Sequence, residues 1–177
     1  MALLCLLLRM VSLNMTADIL PLTVISYNSR GFAPDRQAYM KTLLSKCTIL
    51  CIQEHWLSDS QLPLLSHLSL NFSYAGVAGF GNDDVLSGRP YGGCAVLWRN
   101  DLKARVKVLD VCSKRMSAVR LCCDSFSLLL FSVYMPYEGD ESKTADYAEQ
   151  LAIMDSLIDE NTDCHVIIAG DFNVDLS

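Results

Sequence analysis

Four apolar runs in this chain each stop at a residue able to do chemistry. Residues 22–27 end at Asn28, 48–52 at Gln53 and Glu54, 128–133 at Tyr134, and 166–169 at Gly170 followed by Asp171 and Asn173. Runs of this length and β-branched content read as buried strands. Ligands of α/β sheets gather outside the carboxyl ends of strands, so four such ends brought together would place carboxylates, amides and a phenol in one cleft. An oxygen-rich set of this kind suits Mg²⁺ or Mn²⁺, and the lack of a usable His and Cys set argues against zinc. Each residue alone could equally be a turn or a strand cap.

The elements that would carry these residues alternate. Residues 37–46 place Met40, Leu43 and Leu44 at helical spacing between the first two strands. Residues 75–93 hold six of the nine glycines and read as a long loop, closing at Gly92-Gly93 before a strand at 94–98. A glycine-rich loop without a helix N-terminus behind it reads more readily as a flexible connection than as a phosphate cradle. Residues 105–108 and 118–121 alternate bases with aliphatics and read as exposed antiparallel strands. A helix over 144–160 sets Tyr147, Leu151, Met154 and Ile158 on one face, and the strand at 166–169 reads as buried. The 177 residues, 51% of them hydrophobic, suffice for one globular domain over 22–177 and exclude general disorder.

Charge is segregated. The chain carries a net −6, which argues against a generic polyanion binder, yet residues 89–120 hold eight bases against two acids while 138–177 hold eleven acids against Lys143. A polyanion would therefore approach the middle third; two ordinary solvated faces are the other reading. The eight cysteines show no regular spacing, and Cys47, Cys51, Cys94, Cys122 and Cys164 sit in apolar runs as small core residues, which points to reduced thiols in an intracellular protein. Residues 1–21 read as a poorly specified leader. The run at its start has no preceding positive charge, is broken by Arg9, and is too short to span a bilayer, so no membrane partner is expected.

Five blocks, in order, carry a resemblance: Ser26-Tyr-Asn-Ser-Arg-Gly31, Gln53-Glu-His-Trp56, Tyr91-Gly-Gly-Cys-Ala95, Val133-Tyr-Met-Pro136 and Gly170-Asp-Phe-Asn-Val-Asp175. Over residues 22–177 the sequence resembles the endonuclease/exonuclease/phosphatase superfamily, and within it the endonuclease domain of LINE-type non-LTR retrotransposons. The resemblance implies an α/β fold of two packed β-sheets flanked by helices, a four-layer sandwich, and metal-dependent hydrolysis of phosphodiester bonds in DNA. Tyr137, after Tyr-Met-Pro, stands where abasic-site enzymes of the family often carry Asn, which fits a retrotransposon nuclease better than a repair enzyme.

By that resemblance Glu54 binds Mg²⁺ (or Mn²⁺), with Asn28 assisting at the metal and phosphate. Tyr134 reaches a phosphate oxygen, Asp171 orients or deprotonates the attacking water, and Asn173 holds that water or the scissile phosphate in line. Arg115 and Arg120 of the basic segment contact DNA backbone. A working enzyme of this kind would act in the nucleus. The family completes its site with a later Asp and a Ser-Asp-His block, for which His55, His67 and His165 are no substitutes. The expectation is thus a domain incomplete at its C-terminus with impaired hydrolysis. A catalytically dead nucleic-acid-binding or interaction fragment, and a phosphatase of the same superfamily, are the alternatives.

Overall fold

A computed structural model of the chain describes residues 11–13, 22–81, 91–137 and 141–174. Its elements run β1 (Val11–Leu13), β2 (Leu22–Asn28), α1 (Pro34–Leu44), β3 (Ile49–Gln53), a 3-10 segment (Asp59–Leu68), β4 (Phe72–Val77), β5 (Cys94–Arg99), β6 (Arg105–Leu109), β7 (Met116–Cys122), β8 (Ser127–Tyr134), α2 (Glu141–Asp159) and β9 (Cys164–Asp171). The first sheet has the order β1-β2-β3-β5-β4 and the second β6-β7-β8-β9. Val11–Leu13, inside the segment read as leader, pairs antiparallel with β2. Among the described residues no helix is long and apolar enough to cross a membrane.

The period-2 alternation of strands explains the layering. In β2 and β3, Ile25, Tyr27, Leu50 and Ile52 point outward and pack with Met40, Leu43 and Leu44 of α1, as the helical spacing predicted. Leu22, Val24, Ile49 and Cys51 point inward and meet Val119, Leu121, Leu128 and Leu130 of the second sheet. On the far side of that sheet, Leu129, Phe131 and Val133 pack against Met154, Tyr147 and Ile158 of α2. The order is helix, sheet, sheet, helix, the expected four-layer α/β architecture.

Near the carboxyl ends of β2, β3, β8 and β9 the inner faces turn polar. Gln53 is 1% exposed and Ser132 0%. The Gln53 Nε2 donates to Ser132 Oγ at 2.9 Å, Ser26 Oγ donates to Gln53 Oε1 at 3.2 Å, and Ser132 Oγ donates to the Ile52 carbonyl at 3.0 Å. Gln53, one of the strand-end residues marked for the cleft, is therefore a tie between sheets. Two weaker ties lie along the same seam: Cys94 Sγ to the Arg115 carbonyl and Ser117 Oγ to the Ala75 carbonyl.

Several expectations change in the folded chain. β9 is half-exposed rather than buried, with Val166 at 38% and Ile168 at 36%, because among the described strands it pairs only with β8 and lies at the sheet edge. In α2, Leu151 is 46% exposed while Gln150 is buried. Gln150 is drawn inward because it accepts from Ser113 Oγ and donates to Asp146 Oδ1, satisfying its amide. β7 is buried between β6 and β8, and only β6 has the exposure foreseen for both. Residues 75–77 of the glycine-rich stretch belong to β4; Gly88 and Arg89 lie outside the described residues. The thiols of Cys47, Cys51 and Cys94 are buried as foreseen, whereas Cys122 and Cys164 are half-buried, and all five are free.

Removing the Gln53 amide would take the donor from Ser132 Oγ and the acceptor from Ser26 Oγ at the inter-sheet seam. Gln53→Ala is expected to lower unfolding free energy by about 2 kcal/mol, the scale of a buried unmade hydrogen bond plus a small cavity. Urea denaturation measures it.

Candidate active site

The parallel pairs β2/β3 and β8/β9 end level with one another, with Asn28 registered against Gln53 and Tyr134 against Asp171. The four ends do meet, from two facing sheets rather than side by side in one. Asn28, Tyr134 and Asp171 share the inward parity of Val24, Leu130 and Ile167, so strand alternation alone aims them into the gap.

Glu54 follows the strand, and strict alternation would turn it toward α1. Its φ of 53° breaks the alternation. Its carboxylate instead accepts from Asn28 Nδ2 at 2.7 Å through Oε1 and from Trp56 Nε1 at 3.3 Å through Oε2. The same Asn28 Nδ2 donates to Asp171 Oδ2 at 2.8 Å. Two carboxylates, one from each sheet's side, thus share one neutral amide. Asn28 Oδ1 accepts the Arg30 N–H at 3.2 Å, so here Asn28 acts as a clamp between carboxylates. Asp171 Oδ1 accepts the Asn173 N–H at 3.1 Å, and Asn173 Nδ2 donates to the Met135 carbonyl at 2.7 Å.

Among the described residues the non-glycine residues with positive φ are Arg30, Glu54, Trp56 and Asn173, all at this site. The left-handed region is costly for residues with a Cβ and persists where the surroundings over-determine it, as it does at binding and catalytic centres. What over-determines it is packing that sequence reading did not anticipate. Ser29 Oγ donates to the Gln53 and Glu54 carbonyls, and the Gly31 N–H donates to the Glu54 carbonyl at 2.7 Å. A Cβ on Gly31 would lie 2.9 Å from the Trp56 ring, so glycine there leaves room for the indole that holds Glu54. The only sequence signal for Trp56 was its place in the Gln53-Glu-His-Trp56 block.

Tyr134 is half-buried beside the carboxylates. Burial raises the pKa of its hydroxyl, Glu54 and Asp171 raise it further, and Arg115 and a hydrogen bond with Asn173 offset part of this. The phenol therefore stays a proton donor in a cleft of negative potential.

The two arginines expected to contact DNA part company. Arg115 lies at the site's edge, where its carbonyl accepts the Tyr134 N–H, but its guanidinium pairs with Asp146 at 2.9 Å. Arg120 registers against Leu129, well down β8 from Tyr134, and its guanidinium holds Asn161 and Asp163. Its place on β7 sets Arg120 away from the cleft, and residues of the acidic C-terminal third engage its guanidinium there.

His55, as expected, turns away from the carboxylates. It is fully buried, its Nδ1 accepts the Leu57 N–H at 3.0 Å, and a Cβ on Gly93 would fall within 2.4 Å of its ring. His67 lies in the 3-10 segment and His165 near the far end of β9.

Among the described residues no cluster of three or more His, Cys, Asp and Glu side chains forms a closed metal cage. Glu54 and Asp171 with amide neighbours fit Mg²⁺ or Mn²⁺, which take one or two carboxylates and complete their shell with water and substrate phosphate. The fit is also electrostatic, since a cation is what two neighbouring carboxylates in a half-buried cleft lack.

Residues 25–177 match the model of the Endonuclease/Exonuclease/phosphatase family. The chain belongs to that family. No curated protein sequence matches it. Among solved structures, the AP endonuclease LMAP from Leishmania major superposes with a TM-score of 0.60 at 18% identity, over 85% of this chain and 55% of that one. The endonuclease domain of TRAS1, a telomere-specific non-LTR retrotransposon, gives 0.58 at 13% identity, over 86% and 61%. TDP2 of D. rerio, complexed with single-strand DNA product, gives 0.55 at 19% identity, over 87% and 61%. At these identities the likeness is one of fold, and the chain spans less than two thirds of each of these structures' length.

Burial lowers the His55 pKa from 6.5 to about 4, the backbone of Cys94 and Val77 offsetting a smaller part, and among the described residues its Nε2 has no partner in hydrogen-bond geometry. The unfolded chain takes up this proton near 6.5 and the folded chain only near 4. Stability from this group is whole above the first value and lost as pH falls toward the second, by about 3 kcal/mol. His55→Asn, whose Oδ1 can replace Nδ1 as acceptor, should flatten that part of the profile in urea melts between these limits.

Proposed function

We propose that this protein is a Mg²⁺- or Mn²⁺-dependent phosphodiester hydrolase acting on DNA as a nicking endonuclease, of the retrotransposon kind. The observation that carries the reading is the Asn28 amide held between Glu54 and Asp171. Family membership supports it, as do structural neighbours described as AP and retrotransposon endonucleases and as a complex with single-strand DNA product.

Each residue then has a role. Glu54 would hold the cation, its orientation fixed by Asn28 and Trp56. The cation would polarise the phosphoryl oxygens. Asp171, pinned by the Asn28 side chain and the Asn173 backbone, is the acceptor for the proton of the attacking water. Tyr134, kept protonated, donates to a phosphate oxygen as charge grows on it. Asn173 orients Tyr134 and the water side of the phosphate, and Arg115 at the edge adds positive potential.

Calorimetric titration with Mn²⁺ should give one site, weakened roughly tenfold or more in Glu54→Gln. In supercoiled-plasmid nicking, Asp171→Asn and Glu54→Gln should each lower the Mg²⁺-dependent rate by roughly 10²- to 10⁴-fold relative to the parent. Equal metal affinity and equal nicking in parent and variants would refute the assignment.

A further inference from the structure

Among the described residues three aromatic side chains are exposed: Tyr39 at 43%, Tyr91 at 54% and Tyr137 at 70%. Tyr39 is accounted for by its ring contact with Tyr27, at 5.1 Å between centroids. The other two follow or precede strands of opposite sheets, one and two residues from Gly92 and Met135, whose backbones bond to Trp56 and Asp171 of the candidate site. Tyr91 leads into β5 of the first sheet, and Tyr137 follows β8 of the second.

The backbone adjoining each is tied to the site by hydrogen bonds. The carbonyl of Gly92, next to Tyr91, accepts the Trp56 N–H at 3.2 Å, and Trp56 in turn holds Glu54. The Tyr91 carbonyl itself lies so close to Gly79 that a Cβ there would come within 2.4 Å of it. On the other side, the Met135 N–H donates to the Asp171 carbonyl at 2.8 Å and the Met135 carbonyl accepts from Asn173, and Pro136 is buried, so Tyr137 projects from an anchored turn. Exposed, polar-tipped rings on fixed backbone beside a phosphate-handling centre have the form of a stacking platform, because an aromatic face pairs with the face of any base. In an intact duplex those faces are already stacked on neighbours. They become available only in an unpaired strand or an extruded nucleotide.

We propose that Tyr91 and Tyr137 form a base-stacking subsite, so that the substrate class is DNA whose bases are unstacked beside the scissile phosphate, a single strand or an unpaired stretch of supercoiled DNA in preference to intact linear duplex. This rests on the nucleic-acid reading above and specifies it. Exposed Arg30, following Asn28 by two residues, is placed to meet the strand's backbone.

The test is fluorescence anisotropy with the full 177-residue chain, in Ca²⁺ to limit cleavage, against a short single-stranded DNA, its duplex, and the same-length strand with every base removed. The parent should bind the single strand more tightly than the duplex. Tyr91→Ala and Tyr137→Ala should each weaken single-strand binding roughly tenfold, leave the base-free strand unchanged, and be rescued by Tyr→Phe. Single-strand binding unaltered by both alanine variants, equal losses on the base-free strand, or a parental preference for duplex would each overturn the subsite while leaving DNA binding standing. A parent that binds none of the three overturns the nucleic-acid reading and the subsite with it.

Discussion

Everything at the site depends on two separate sheets ending at the same height. Asn28 can donate to Glu54 and Asp171 at once only if β2/β3 and β8/β9 neither slide nor splay. Apolar contact between the inner faces resists separation but is non-directional and tolerates sliding. Register comes from the buried hydrogen bonds one level below the carboxylates, where Gln53 reaches Ser132 and Ser132 reaches the Ile52 carbonyl. A satisfied polar group in a dry layer has one good partner, and moving away from it costs the full desolvation penalty.

The same constraint explains why the backbone is strained where it is. A strand delivers inward-facing residues only at alternate positions, and Asn28, Gln53, Tyr134 and Asp171 use them. Glu54 is out of phase and reaches the cleft only through a left-handed φ, held by Ser29, Gly31 and Trp56. That backbone and the neighbouring carboxylates carry a cost, of which a bound divalent cation would offset the electrostatic part.

How legible this was in the sequence follows from what each feature depends on. Strands that end in polar residues are written locally, as an apolar run and its stop, so β2, β3, β8 and β9 and their terminal residues could be read, and α1 with Met40, Leu43 and Leu44 likewise. Features settled by distant partners could not. Leu151 fits the helical stripe as well as Met154 does, but the pairing of Ser113 with Gln150 decides which face turns inward. Arg120 is as basic as Arg115 in one dimension, and only the fold brings Asp163 to it. Gln53 and Glu54 are neighbours of similar size; a single dihedral makes one a strut between sheets and turns the other's carboxylate to Asn28. The positions of Trp56 and His55 depend on Gly31 and Gly93, whose missing side chains make room for the two rings.

The central claim is that Glu54 and Asp171 share one cation-binding cleft with Asn28 between them. Anomalous diffraction at the manganese edge from Mn²⁺-soaked crystals tests it most directly. A single strong peak is expected, bound to a Glu54 carboxylate oxygen on the side of the cleft that Asp171 lines, and lost in Glu54→Gln. A peak at other carboxylates with this cleft empty, or one retained in that variant, would contradict it.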